Sequence, residues 1–240
     1  MLGRSRFPMC SRRARRGARR RGFTLIETAL ATIIIGVGVV AVVEAQVAFS
    51  QVNQWSSHSA TATMLANEIR QLTINMPRHD PITGLYINSG TLVGWGREAN
   101  ETSVTDLDDI DDFSGVSFGA TGTFSGPVDA TGNVIPEISA GGQVVMNNGS
   151  VVPIEGWTQS VTVEKVRHFR FDEVLANGYY EPAVGTTPGT SVDGFPLRVT
   201  VRVFYQAPGS TTPMEVGKVR WVVPADRRYS EIPATGASPE

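Results

Sequence analysis

Acidic side chains stand in two places where an acid needs a partner. Glu27 lies inside an apolar run of 21 residues, Phe23 to Val43. Further along, five aspartates fall within seven residues: Asp106, Asp108, Asp109, Asp111 and Asp112. A carboxylate in an apolar segment is costly unless a cation pairs with it, and clustered carboxylates are typical ligands of hard metal ions. Both acidic sites are therefore candidates for function.

The aspartate-rich segment offers the hard oxygen ligands that Ca²⁺ prefers. Its spacing is not that of an EF-hand loop, because Ile110 and Asp111 interrupt the ligand pattern and no glycine or final glutamate follows at the required places. The five aspartates therefore leave two interpretations open, a calcium site and a solvated acidic loop.

Other chemistry finds little support in the sequence. The three histidines, His58, His79 and His168, share no metal-ligand spacing. Nucleophile-elbow, phosphate-loop and paired-cysteine motifs do not occur. The sequence therefore predicts a protein that is not an enzyme, with no firm metal site and with calcium as the one candidate cofactor.

The apolar run is long enough to cross a bilayer, which needs about 20 apolar residues as a helix. Nine arginines and no acid precede it, which predicts a cytoplasmic amino terminus with the rest of the chain across the membrane. A buried core helix is the alternative interpretation of such a run. Without residues 1–22, 12 basic side chains face 23 acidic ones, a formal charge of −11, so nucleic acid is not an expected partner.

Three kinds of export segment fit this amino terminus. A Sec-type signal would be cut after a small residue such as Ala45 or Ala48, although its apolar region is usually shorter. A twin-arginine signal would use the arginine pair before Gly22, although this run is more apolar than such signals usually are. A prepilin-type leader would be cut before the apolar run, which the mature chain would keep.

The stretch Gly22-Phe23-Thr24-Leu25-Ile26-Glu27 resembles the processing motif of type IV pilins and type II secretion pseudopilins. The resemblance implies that a membrane prepilin peptidase cuts between Gly22 and Phe23 and methylates the new amino terminus at Phe23. It also implies that Glu27 sets the register of the subunit during assembly, and that other pilin subunits, an inner-membrane assembly platform and membrane lipid are partners.

Under this interpretation, the cut itself creates a cation that can pair with Glu27. No Lys, Arg or His lies between Phe23 and Gln46, so the uncut run offers no cation within itself. Cutting after Gly22 would create an α-amino cation one helical turn before Glu27, in its own chain or in a neighbouring copy. The alternative is a shallow glutamate that reaches water at the membrane interface.

The remaining pattern predicts an α+β fold, in which a long amino-terminal helix packs on an antiparallel sheet as in pilins. The predicted segments are a removed leader (1–22), a membrane helix (23–45), an amphipathic helix (46–77), a β-rich head (78–223) and a loose tail (224–240). Period-two alternation predicts the clearest strands at 158–171, 197–205 and 214–223, after weaker candidates at 91–95, 115–118 and 143–146.

The sequence therefore predicts a structural subunit of a type IV pilus or a type II secretion pseudopilus, with a minor subunit favoured. Its expected location is the inner membrane, with a periplasmic head, and then the assembled filament. The alternative is a secreted or anchored β-rich binding domain behind a Sec-type signal. An exported enzyme is a third class, which the missing catalytic spacing disfavours.

Overall fold

Helix α1, Leu25–Thr73, is the first element of a computed structural model that describes residues 22–225. The predicted leader before Gly22, Cys10 with it, and the predicted tail from residue 226 lie outside the described residues. The chain divides into two units, Met1–Val52 and Asn53–Glu240. The part of α1 within the first unit is exposed along its whole length.

The predicted long helix is confirmed, but it ends at Thr73, four residues before the predicted end at residue 77. The chain tightens there into turns, because the Ile74 N–H donates to the Gln71 carbonyl and the Met76 N–H to the Thr73 carbonyl. Pro77 follows at once and could not continue a helix.

Within the second unit, α1 buries one stripe against the head. Ala62, Leu65, Ala66 and Ile69 are fully buried and recur at the three- and four-residue spacing of a helix face. Trp55, which the spacing places on the same face, is 51% exposed. The buried stripe therefore begins further along the helix than the sequence pattern suggests.

The main sheet is antiparallel, with strand order β3-β6-β8-β9 and with β7 paired to the end of β6. Its strands are β3 Ser117–Phe118, β6 Trp157–Arg167, β7 Arg170–Val174, β8 Leu197–Tyr205 and β9 Met214–Val223. The predicted strands at 197–205 and 214–223 are confirmed. The strand predicted at 158–171 is instead two strands, because the chain turns at His168 and Phe169, where φ of Phe169 is 61°.

Cross-strand rows of alternate residues form the buried face of this sheet. Val161 pairs with Val201 and Val163 pairs with Val199, and all four side chains lie in the core. Gln159 and Lys165 occupy the same face of β6 and are also fully buried. The expected alternation is therefore present, but two of its inward positions are polar.

The opposite face of β8 is less solvated than its arginines and threonine suggest. Arg198 is only 8% exposed, because its guanidinium bonds Glu164 on β6, at 2.7 Å, and the Phe171 carbonyl, at 2.9 Å. Thr200 is 3% exposed. Two polar positions of β8 are therefore buried, although the alternation alone would place them in solvent.

Two small hairpins and a long irregular segment complete the second unit. The hairpins join β1 Tyr86–Asn88 to β2 Thr91–Val93, and β4 Met146–Asn147 to β5 Ser150–Val151. The irregular segment contains a 3₁₀ turn, Asp111–Phe113, and contributes these residues to the core: Leu107, Ile110, Phe113, Val116, Phe118 and Val128. The whole is an α+β arrangement, as the sequence predicts.

Candidate functional sites

The predicted cleavage point lies just before the long helix. Gly22, Phe23 and Thr24 are exposed and not helical, and α1 begins at Leu25. The Gly22–Phe23 bond therefore stands in accessible, non-helical chain.

Glu27 is in the first turn of α1 and is exposed. Its backbone N–H lies 3.0 Å from the Thr24 carbonyl and 3.4 Å from the Thr24 hydroxyl. Thr24 and Glu27 thus have the spacing of a helix capping box, a signal that was present in the sequence. The helix dipole also favours an anion in this turn, so Glu27 has a local role beside the predicted pairing role.

The apolar part of α1 has few polar groups left to satisfy. The Thr28 hydroxyl donates to the Leu25 carbonyl at 2.9 Å, and the Thr32 hydroxyl donates to the Thr28 carbonyl at 2.8 Å. By length and composition, α1 can cross a membrane. Its internally bonded threonines suit that environment, because an unpaired hydroxyl in hydrocarbon is costly.

The five predicted aspartates do not form one site. Asp106 is exposed, and its carboxylate accepts the backbone N–H groups of Thr102 and Ser103. Asp111 is buried, and its Oδ2 lies 2.5 Å from Nδ1 of His79. Of the five predicted calcium ligands, these two therefore have partners outside the group formed by the other three, and calcium binding itself stays a prediction.

The other three aspartates converge with two glutamates that lie earlier in the chain. Carboxylate oxygens of Asp108, Asp109 and Asp112 lie within 4.8 Å of one another, and so do those of Glu98, Glu101 and Asp112. Asp112 belongs to both trios. We call these five residues the carboxylate cluster. Sequence reasoning missed Glu98 and Glu101 because they lie outside the aspartate run, and only their own three-residue spacing marks them.

Burial raises the pKa of three members of the carboxylate cluster. It raises the pKa of Asp109 to about 10, with the neighbouring Asp111 and Asp112 acting in the same direction. Burial also raises the pKa of Glu101 to about 7 and that of Asp112 to about 6. Without a cation, the cluster therefore holds carboxyl groups that ionise reluctantly.

Lys165 is another buried ionisable group. It occupies an inward position of β6, where the alternation predicts an apolar residue. Its ammonium donates to the carbonyl of Val192 at 2.6 Å and to the carbonyl of Asn177, and it lies over the Phe195 ring at 5.9 Å. Burial lowers the pKa of Lys165 to about 8. These contacts hold the loop between β7 and β8 against the sheet, which is a structural role.

The three histidines have separate surroundings. His58 packs on the Tyr205 ring at 4.4 Å, and Nε2 of His168 lies 2.9 Å from the Gly194 carbonyl oxygen. His79 pairs with Asp111, and burial lowers its pKa, with the charges of Arg78 and Lys165 acting in the same direction. Each histidine therefore has its own packing role in the second unit.

Comparison with protein-family models, with curated proteins and with solved structures finds no match for this chain.

Proposed function

We propose that this chain is a structural, non-enzymatic subunit of a type IV pilus or a type II secretion pseudopilus, in the manner of a minor subunit. A prepilin peptidase removes the leader by cutting between Gly22 and Phe23, and Phe23 becomes the methylated first residue. The retained helix then assembles with other subunits.

The observation that carries the proposal is the position of the processing motif. Gly22-Phe23-Thr24-Leu25-Ile26-Glu27 stands directly before an apolar helix whose first half is exposed along its whole length. In water such a surface would be strongly unfavourable, at about 25 cal/mol for each Å² of apolar area. It needs lipid first and other helices afterwards, which are the two environments of a pilin helix.

Glu27 sets the register between neighbouring subunits in this proposal. The cut creates a positive amine at Phe23, four residues before Glu27 and therefore one helical turn away. In an assembled filament, the amine of one copy can pair with the Glu27 of its neighbour. An unpaired ionised carboxylate in lipid costs about 2.5–3.5 kcal/mol on insertion scales, so correctly registered neighbours are favoured over misplaced ones.

The proposed location of the protein follows from its amino-terminal charge and its apolar helix. Its apolar helix α1 would hold it in the inner membrane, with the arginine-rich leader in the cytoplasm and the head in the periplasm. Its partners would be the peptidase, the assembly platform, lipid and other subunits. The mature charge of −11 gives no basis for direct binding of nucleic acid.

Two substitutions separate cutting from assembly in cells that express a prepilin peptidase and a pilus or pseudopilus system. Gly22→Asp should block the cut, because the peptidase recognises the glycine, and mass spectrometry should then find the leader still attached. A mature chain of wild-type mass from this variant would remove the cleavage claim.

Glu27→Ala should be cut normally but should enter sheared filaments at no more than about a tenth of the wild-type level, the ratio expected for the loss of about 1.4 kcal/mol per contact. Thr24→Ala is the matched control, because it removes the cap of the same turn and leaves the carboxylate. Wild-type incorporation of Glu27→Ala, or an equal defect in Thr24→Ala, would count against the register role.

A further inference from the structure

The carboxylate cluster consists of two trios of acidic side chains that share Asp112, and all five residues come from one 15-residue stretch, Glu98 to Asp112. Among the described residues 22–225, no ion pair reaches any of the five. Two of them, Asp109 and Asp112, are fully buried, and Glu101 is 6% exposed. The cluster therefore holds carboxyl groups close together, and three of them have little contact with water.

The backbone fixes the two buried aspartates by one oxygen each. Oδ1 of Asp109 accepts the N–H groups of Asp111 and Asp112, at 2.7 and 3.1 Å. Oδ2 of Asp112 accepts the N–H groups of Asp108 and Asp109, at 3.1 and 3.2 Å. Both carboxylates are thus held rigidly before any ligand arrives.

The second oxygen of each aspartate lacks a hydrogen-bond donor from the backbone, although the Asp111 carboxyl adjoins that of Asp109. Asp109 Oδ2 and Asp112 Oδ1 are buried and accept no hydrogen bond. A buried polar atom of this kind costs about 1–3 kcal/mol, and more when it is charged. Buried carboxylate oxygens that are held in place and lack donors are what a bound cation would satisfy.

The donor set decides the class of cation. All five candidate ligands are carboxylates, and the cluster contains no imidazole or thiolate. Oxygen ligands favour hard cations over zinc or copper. Ca²⁺ takes six to eight oxygens in flexible geometry, whereas Mg²⁺ demands a near-ideal octahedron and keeps its waters. An irregular segment with five carboxylates fits the larger ion better.

We infer that the carboxylate cluster is a calcium site, with Asp112 as the ligand common to both trios. Asp109 and Glu101 line its buried side. Glu98 is partly buried and Asp108 is exposed, so these two form the side by which the ion and its remaining waters enter. The ion would tie the Glu98–Glu101 turn to the 3₁₀ turn Asp111–Phe113, whose Phe113 belongs to the core.

Calcium titration of the full-length protein in detergent tests the site, after treatment with EDTA and exchange into metal-free buffer. With CaCl₂ alone, isothermal titration should give one ion per chain with a Kd of about 1 mM or tighter, the range of extracellular calcium modules. The melting temperature should rise with CaCl₂, and MgCl₂ should bind more weakly. No binding at about 10 mM CaCl₂, or equal affinity for Mg²⁺, would overturn the proposal.

Three variants locate the ion. Asp112→Asn should weaken calcium binding at least about tenfold, because affinity follows the ligand charge. Glu98→Gln replaces a carboxylate at the open side by a neutral side chain of the same shape and should also weaken calcium binding. This variant tests the site if Asp112→Asn does not fold. Asp106→Asn is the control from the same segment and should bind like the wild type. Equal weakening by Asp106→Asn and Glu98→Gln would mean that general charge, and not this site, attracts calcium.

Discussion

Gln159 joins three parts of the second unit, and its loss should loosen all of them. The side chain is fully buried on β6. Its Oε1 accepts the Val128 N–H at 2.8 Å, and its Nε2 donates to the carbonyls of Leu65, at 2.8 Å, and Val128, at 3.0 Å. Leu65 lies on α1, so this one side chain bonds the sheet, the helix and the irregular segment together.

Gln159→Leu keeps the approximate volume and removes the three hydrogen bonds. Each is worth about 1 kcal/mol net, and the Val128 N–H, left buried without an acceptor, costs about 1–3 kcal/mol more. Burial of the leucine side chain returns about 1.5–3 kcal/mol. We therefore expect the free energy of unfolding to fall by about 3 kcal/mol.

Urea unfolding of the full-length protein in detergent, followed by tryptophan fluorescence, measures this change, since Trp157 is buried at the start of β6. The midpoint should fall with little change in the m-value. Gln143→Leu, at an exposed position, is the matched control and should stay within about 0.5 kcal/mol of wild type. A loss below about 1 kcal/mol in Gln159→Leu would refute the assignment of Gln159 as the link.

Two further predictions concern the same unit. A methyl group at Gly217 would lie 2.8 Å from Cβ of Ala62, so Gly217→Ala should lower the free energy of unfolding by about 1–3 kcal/mol in urea titrations. For Lys165, the folded-state pKa of about 8 is below the ordinary value, so the unfolded chain holds more protons between about pH 8 and pH 10.4. Wild-type stability, measured relative to Lys165→Met, should therefore rise with pH across this window, by at most about 3 kcal/mol.

Each of these predictions has an outcome that contradicts it. Gly178→Ala, where a methyl group meets no atom within 4 Å, is the control for Gly217→Ala. If the two variants are equally stable, the helix does not approach the sheet as closely as described. If the difference in the free energy of unfolding between wild type and Lys165→Met stays constant or falls between pH 8 and pH 10.4, burial does not disfavour the Lys165 ammonium.

The regular elements could be predicted because apolar residues recur with a clear period along them. Leu197 to Val203 alternates without interruption, and the observed strands β8 and β9 have the predicted bounds. The alternation of β9 changes phase near Gly217, opposite the register shift between Val203 and Phe204. Helix α1 was predicted to within four residues at either end. Where the chain reverses sharply, at Phe169, the alternation continued through the turn and concealed it.

One hairpin had a signal that could have been used. Asn148 and Gly149 both have positive φ, 49° and 82°, as the tight turn between β4 and β5 requires. An Asn-Gly pair is a strong short-range sign of such a turn. The strand that follows it, Ser150–Val151, is therefore a feature that sequence reasoning could have reached.

The carboxylate cluster could not be predicted in its true composition. The aspartate run marked the segment, but nothing in its spacing separates Asp109 from Asp111. Asp109 belongs to the cluster, whereas Asp111 pairs with His79, and this difference depends on the tertiary structure. Spacing likewise predicts which residues share a helix face. It does not reveal that Ala62 is the first residue of α1 to belong to the core.

Mass spectrometry of the mature amino terminus, on protein recovered from membranes and sheared filaments, tests the central proposal most directly. We expect the first residue to be N-methylated Phe23, with the apolar helix intact behind it. A chain that begins near Gln46 or Phe49, without that helix, would contradict the proposal and favour a secreted β-rich domain.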